Sequence, residues 1–238
     1  MGHYLINTSW TCQLKCSYCL LPHIKINRAA PEHPWHEWAE ALDRHAERHS
    51  LFDFAGGEPF LYDGLELLCE ELHRRGHRWA ITTNAMSTLG VALLLERRPG
   101  GCSQINVSDH PGNFGAGENV KRLMRAYRVV GNRVDHPDAG YHIDGISSLI
   151  PYQSWREGTE LDGIKRWCSS GMHHWVADPG GDVFICNPAM ATARKPLGNL
   201  FDGKSLNTPK AEFICDWGCS TCYTIVPDAW PVFHRLAE

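Results

Sequence analysis

Three thiols fall within eight residues near the start of the chain, in Cys12-Gln-Leu-Lys-Cys16-Ser-Tyr-Cys19. Thiolates are the usual ligands of iron–sulfur clusters, and three on a four-iron cluster leave one iron open to bind something else. A structural zinc site wants a fourth ligand nearby and usually takes its cysteines in pairs, so the triplet suits zinc poorly. Five more thiols gather toward the other end, at Cys168, Cys186, Cys215, Cys219 and Cys222, while Cys69 and Cys102 stand alone. With no signal peptide ahead of them, ten cysteines argue for metal or redox chemistry rather than disulfides, and their distribution argues for two sites.

The later group depends on a predicted hairpin. The stretch 172–188 (MHHWVADPGGDVFICNP) reads as two strands around a turn, with Pro179 and Gly180 at the central positions of a type II turn. Such a fold returns Cys186 toward Cys168. The C-x2-C pair Cys219/Cys222 then completes four ligands, with Cys215 as a spare or an alternative. Alone, this set reads as a structural zinc ribbon; beside the first triplet it reads as a second iron–sulfur site. Cys69 shares a helix face with Leu65, Leu68 and Leu72, and Cys102 enters a strand, so both read as core thiols.

Strands and helices must position these groups. Strands are expected at 4–10, 51–54, 78–83 and 104–108, with a fifth inside 141–150. Helices are expected from Trp35 to His49, after an Asp63/Glu66 capping box, over 88–98, and around Val120, Leu123, Met124 and Tyr127. Alternating strands and helices imply an α/β fold with a parallel sheet. Five strands before residue 160 predict a partial, truncated parallel β/α barrel over residues 1–155. A small hairpin-containing, loop-rich iron–sulfur domain follows over 156–238. Chemistry in such sheets gathers at the C-terminal strand ends. The cysteine loop, Gly56-Gly57-Glu58-Pro59, Thr82-Thr83-Asn84 and Ser108-Asp109 each close a strand.

Charge and hydropathy exclude other classes. The formal net charge is −4 and no basic stripe appears, which argues against nucleic acid and anionic membranes as partners. No apolar run approaches the ~20 residues that span a bilayer, and MGHYLINTSW lacks the pattern of a signal peptide. A reducing cytoplasm is the expected setting. The histidine pairs His45/His49 and His73/His77 have i, i+4 spacing on helices, but no carboxylate motif completes a metal site. The glycine-rich stretch 110–118 reads as a flap at the mouth of the site.

The C-x3-C-x2-C loop after a first strand resembles the signature of the radical S-adenosylmethionine superfamily. The resemblance implies a 4Fe-4S cluster on Cys12, Cys16 and Cys19, with S-adenosylmethionine chelated to its open iron. Reductive cleavage then gives a 5′-deoxyadenosyl radical that removes a substrate hydrogen atom, the cofactor doing the hard bond breaking. It further implies that Tyr18 packs near the adenine, and that Gly56, Gly57, Glu58 and Pro59 receive the methionine ammonium. Thr82, Thr83, Asn84 and Ser108 fall where relatives bind ribose or carboxylate. Ala85 replaces a common glycine, and Ile143-Asp144-Gly145 only loosely echoes the adenine-binding pattern.

The stretch from Cys168 through Gly181 and Cys186, Leu197-Gly198-Asn199-Leu200-Phe201 and the terminal pair resembles the twitch domain, the one-cluster relative of the SPASM domain. That implies a second 4Fe-4S cluster able to accept an electron. Among relatives the architecture is similar to the aminocyclitol dehydrogenase type, which points to two-electron oxidation of a sugar or cyclitol. Modification of a short ribosomal peptide is the alternative; peptide-modifying relatives often carry a leader-binding extension, and Cys12 follows the first strand at once. A non-catalytic zinc or iron–sulfur module would leave GGEP and TTN unexplained. Flavodoxin or ferredoxin is the implied electron donor. Asp109, Asp144, Arg133 and Arg156 are candidates for the proton-accepting group by location alone.

Overall fold

The computed structural model describes residues 2–16, 32–110, 115–135, 148–151, 166–191 and 194–215. Six strands, β1 (His3–Asn7), β2 (Leu51–Ala55), β3 (Arg78–Thr83), β4 (Cys102–Asp109), β5 (Val129–Asp135) and β6 (Ser148–Pro151), lie side by side in chain order, all parallel. Helices α1 (Trp35–His45), α2 (Leu65–Arg74), α3 (Thr88–Arg97) and α4 (Ala116–Met124) connect β1 to β5.

Side chains alternate across a strand, and the two faces of this sheet differ in chemistry. Ile6, Phe54, Ile81 and Ile105 form one row across four strands, each fully buried against the helices. Burying each is worth roughly 1.5–3 kcal/mol. Trp38, Leu42, Leu68, Leu72, Val91, Leu94, Val120 and Leu123 supply the helix side of this core. The opposite parity carries Asp53, Thr82, Gln104, Asn106 and Ser108 instead. A parallel strand covered by apolar layers on both sides reads as a continuous hydrophobic run. The alternation in β2–β4 therefore marks the second face as a place for polar contacts.

The C-terminal hairpin joins the same sheet. β8 (His174–Ala177) runs parallel beside β1, and β9 (Asp182–Phe184) and β10 (Gly198–Asn199) extend it antiparallel. Tyr4 stacks on Trp175 with ring centroids 4.2 Å apart, and the Asn7 amide donates to the Ala177 carbonyl at 2.8 Å. Helix α5 (Asn187–Ala191) follows, and β7 (Arg166–Cys168) pairs with β11 (Phe213–Cys215) in a separate ribbon.

Several expectations need correction. Six parallel strands precede residue 155, not five; Val129–Asp135 escaped notice because Gly131-Asn132-Arg133 interrupts its apolar pattern. Pro179 and Gly180 occupy the turn centre, where the Gly181 N–H donates to the Asp178 carbonyl at 2.9 Å. The left-handed φ of 83° falls on Gly181, as in a type I turn followed by a left-handed residue, so the turn is not type II. A Cβ at Gly181 would also meet the Phe201 ring at 2.3 Å. Helix α2 starts without a capping box: its N-cap is Gly64 at φ 83°, with no side-chain cap. A side chain there would strike Trp35. Among the described residues no helix is long and apolar enough to cross a membrane.

Candidate active site at the strand ends

The cysteine loop is seated directly on the glycine pair. Gly57 N–H donates to the Ser9 carbonyl at 3.0 Å, and Glu58 N–H to the Thr11 carbonyl at 2.8 Å. A Cβ on Gly57 would lie 2.1 Å from the Thr11 carbonyl oxygen, and one on Gly56 2.7 Å from that of Ser9. Real Cβ atoms do not tolerate such approaches. The glycines thus admit the backbone that carries Cys12, the close backbone approach expected of glycines in this motif.

Glu58 fastens the next strand end to this platform. Its Oε1 accepts from the Thr83 hydroxyl at 2.5 Å and the Phe60 N–H at 3.1 Å, and its Oε2 from the Asn84 N–H at 2.8 Å. Burial raises its pKa, against the pull of these three donors. An ionised carboxylate offers about four acceptor positions, so one is left for an ammonium group. Pro59 opens a single 3₁₀ turn behind it.

Asn84, 5% exposed, connects the platform to sulfur. Its Nδ2 donates to Cys12 Sγ at 3.8 Å, and its Oδ1 accepts from Met86 N–H and Gln13 Nε2. The Leu14 N–H also points at Cys12 Sγ, at 3.4 Å. Hydrogen-bond donors around a half-buried cysteine sulfur are what a cluster thiolate takes, so the donor set fits a bound iron–sulfur group. Ala85 adopts φ 56°, a left-handed conformation that explains the glycine common at this place. Asn119 of α4 secures it by donating to its carbonyl at 2.8 Å. Gln13 and Asn119 were missed from the sequence; single polar residues in a loop and on a helix give no spacing signal.

Thr82 points elsewhere. Its hydroxyl donates to Asp53 Oδ1 and accepts from Asn106 Nδ2, both at 3.3 Å, and Gln104 Nε2 donates to Asn106 Oδ1 at 2.8 Å. A polar row thus crosses β2, β3 and β4 beneath the strand ends. Burial pushes the Asp53 pKa up to about 7, with the Thr82 hydrogen bond opposing it. Asp53 was also missed, although a carboxylate inside LFDFA was the available signal. Ser108 is half-buried at the end of β4; Asp109 is buried on the parity of Ile105 and Val107, opposite Arg133 in register.

Among the C-terminal cysteines Cys168 is buried and Cys186 half-buried, and the Ser170 N–H donates to Cys168 Sγ at 3.4 Å. In the β7–β11 ribbon Cys168 opposes Phe213, and Cys215 follows two residues on, on the same face. Tyr18, Cys19, Ile143, Asp144, Arg156, Cys219 and Cys222 lie outside the described residues, as do residues 111–114 of the glycine-rich stretch, whose last three residues instead open α4. Among the described residues no three His, Cys, Asp or Glu side chains converge on a single metal ion. The histidine pairs straddle helix ends instead of sharing a helix: α1 stops at His45 and α2 at Arg74. His77 is buried against Asp43 at 3.1 Å. Burial raises the Cys69 thiol, which lies in the core, well above its usual range, and that of Cys102, half-buried at the edge of the core, to about 12.

The family model of the Radical SAM superfamily matches residues 6–129. No curated protein matches the chain. Among solved structures, Streptococcus suis SuiB is 15% identical with a TM-score of 0.59, over 86% of this chain and 64% of SuiB. anSMEcpe with bound AdoMet is 13% identical with a TM-score of 0.56, over 84% and 78% of the two chains. BtrN in complex with AdoMet and 2-DOIA is 17% identical with a TM-score of 0.52, over 85% and 79%. At these identities the likeness is one of fold, and this chain spans less than two thirds of SuiB.

Proposed function

Because the chain belongs to the radical SAM superfamily, we propose that it oxidises a polar small molecule, such as a sugar or cyclitol, held on the polar face of β2–β4. The observation that carries this reading is the row Asp53–Thr82–Asn106–Gln104. Neighbouring parallel strands lie about 4.8 Å apart, so three strands span roughly 10 Å, the width of a substituted six-membered ring. The row presents both acceptors and donors, which suits hydroxyl and amino groups.

Cys12 and Cys16, with Cys19, would hold the first cluster, and Asn84 would steady its sulfur. Glu58 keeps one acceptor position for the methionine ammonium. Gly56, Gly57 and Pro59 fix the loop, and Thr83 and Ser108, with Tyr18 and Ile143, complete the cofactor contacts. Cys168 and Cys186 would hold the second cluster with Cys219, Cys222 or Cys215. When bound, the first cluster with S-adenosylmethionine supplies a 5′-deoxyadenosyl radical and the second supplies an electron sink, together a two-electron oxidation. Asp109, Asp144, Arg133 and Arg156 are candidates to take the substrate proton. Residues 1–155 would carry the first site and 156–238 the second, with flavodoxin or ferredoxin as donor in a reducing cytoplasm.

Asp53→Asn tests the reading. It keeps an acceptor for Thr82 but removes the charge. Substrate-stimulated 5′-deoxyadenosine formation with a sugar and aminocyclitol panel should fall at least tenfold, while slow uncoupled cleavage and iron content stay unchanged. SuiB and anSMEcpe have been crystallised with peptides; stimulation by peptides alone would replace the small-molecule reading with modification of a peptide.

A further inference from the structure

A cavity lies at the opposite end of the strands from the cysteine loop. It measures about 700 Å³ and is walled by Arg98, Arg122, Arg125 and Arg128, with Cys102 and Tyr127 also lining it. Cys102 opens β4 and Arg128 directly precedes β5, so the cavity sits under the strand starts. From Cys102 to Asp109, β4 runs seven steps of about 3.3 Å, roughly 23 Å. That separation removes the cavity from the chemistry at the strand ends.

The charge here is concentrated and uncompensated. The chain as a whole is acidic, at −4. Arg74, Arg75 and Arg97 each meet carboxylates, on Glu71, Asp43, Glu66 or Glu70. Among the described residues none of the four cavity arginines pairs with a carboxylate. Cations near a helix C-terminus offset its dipole, and that accounts for Arg98 at the end of α3 and for Arg122 and Arg125 at the end of α4. It does not account for Arg128, which precedes a strand, or for four guanidinium groups around one cavity. Arg98 moreover holds φ 45°, ψ 54°, where glycine is the usual helix-ending residue. Its Nε donates to the Leu95 carbonyl at 3.2 Å, which fixes the direction of the side chain.

We infer that this cavity is a binding site for a small phosphorylated anion carrying at least two phosphates, separate from the radical chemistry. Guanidinium forks match phosphate oxygens two at a time. The volume falls within the ~300–1,000 Å³ of small-ligand pockets, and the concave shape suits a small molecule better than a flat protein surface. Pyrophosphate and nucleotides share this chemistry.

Isothermal titration of the anaerobically reconstituted protein with pyrophosphate, ATP, inorganic phosphate and a glutamate oligomer tests the inference. One saturable site for pyrophosphate or ATP is expected, at least tenfold tighter than phosphate or the glutamate oligomer. Tighter ATP than pyrophosphate would mean that the nucleoside is also gripped; equal affinities would mean that the phosphates suffice, and both support the site. Arg122→Gln with Arg125→Gln should weaken binding at least tenfold while iron content, circular dichroism and basal 5′-deoxyadenosine formation stay unchanged. Arg125→Lys, which keeps the charge but loses the fork, should fall between. Absence of saturable binding, equal binding of the glutamate oligomer, or affinity unchanged in the folded double variant would overturn the inference.

Discussion

The side-chain amide of Asn84 donates to the sulfur of Cys12 at 3.8 Å, while the Asn84 backbone N–H is held by Glu58. One residue therefore ties the GGEP platform to Cys12, a proposed cluster ligand. An N–H donor stabilises a thiolate most when the attached cluster is reduced and more negative. Asn84→Ala should lower the midpoint potential of the first cluster by about 40 mV, the equivalent of one hydrogen bond of about 1 kcal/mol for one electron. Spectroelectrochemistry or EPR redox titration reads this directly, and an unshifted potential would remove Asn84 from that role.

Gly57→Ala adds a methyl group where the Thr11 carbonyl oxygen already sits 2.1 Å away. Neither partner is a flexible side chain, so the loop itself must move. We expect the variant to lose about half of its reconstituted iron and all S-adenosylmethionine cleavage, with the proposed C-terminal cluster retained. Overpacking of this kind costs about 1–3 kcal/mol, small enough for the remaining fold to persist. Full iron loading with normal cleavage would show that the loop does not need this contact.

Asp53 should trade stability for function. Its folded-state pKa of about 7 exceeds the ordinary 3.8 because burial disfavours the charge. Between those values the folded state keeps a proton that the unfolded chain has released, so stability falls as pH rises. Asp53→Asn should therefore match the parent near pH 4, gain on it up to pH 7, and hold a constant advantage of a few kcal/mol above that. Apparent Tm across pH 4–9 checks the sign; a parent that gains on the variant with rising pH would refute it.

Cys215 lies two residues along from the partner of Cys168 and on the same ribbon face. Diagonal neighbours of this kind are about 7–8 Å apart, near enough to serve one cluster. Cys215→Ala should perturb the Mössbauer spectrum of the proposed second cluster as Cys168→Ala should. A spectrum unchanged in Cys215→Ala but lost in Cys219→Ala would leave the C-x2-C pair as the ligands.

The strand-end placement of these residues was legible in the sequence because they carry local signals. Closely spaced cysteines, a Gly-Gly-Glu-Pro turn and strands ending in Asn84 and Ser108 each announce themselves within a few positions. Val129–Asp135 was hidden because Gly131, Asn132 and Arg133 suppress the apolar pattern of a strand. Asp53, Gln13 and Asn119 were hidden for a different reason: each acts through a partner from 29 to 71 residues away in sequence. The parallel docking of β8 on β1 was likewise invisible, since His3 and His174 pair across 171 residues with no pattern in common.

Hydrogen transfer tests the central claim most directly. The reduced, reconstituted enzyme would be given S-adenosylmethionine with carbon-deuterated sugars and aminocyclitols, or with carbon-deuterated peptides, and the 5′-deoxyadenosine analysed by mass spectrometry. The account predicts one deuterium in the 5′-deoxyadenosine from a sugar or cyclitol, with loss of that label in Asp53→Asn. Label arriving only from the peptides, or none from any sugar or cyclitol, would contradict it.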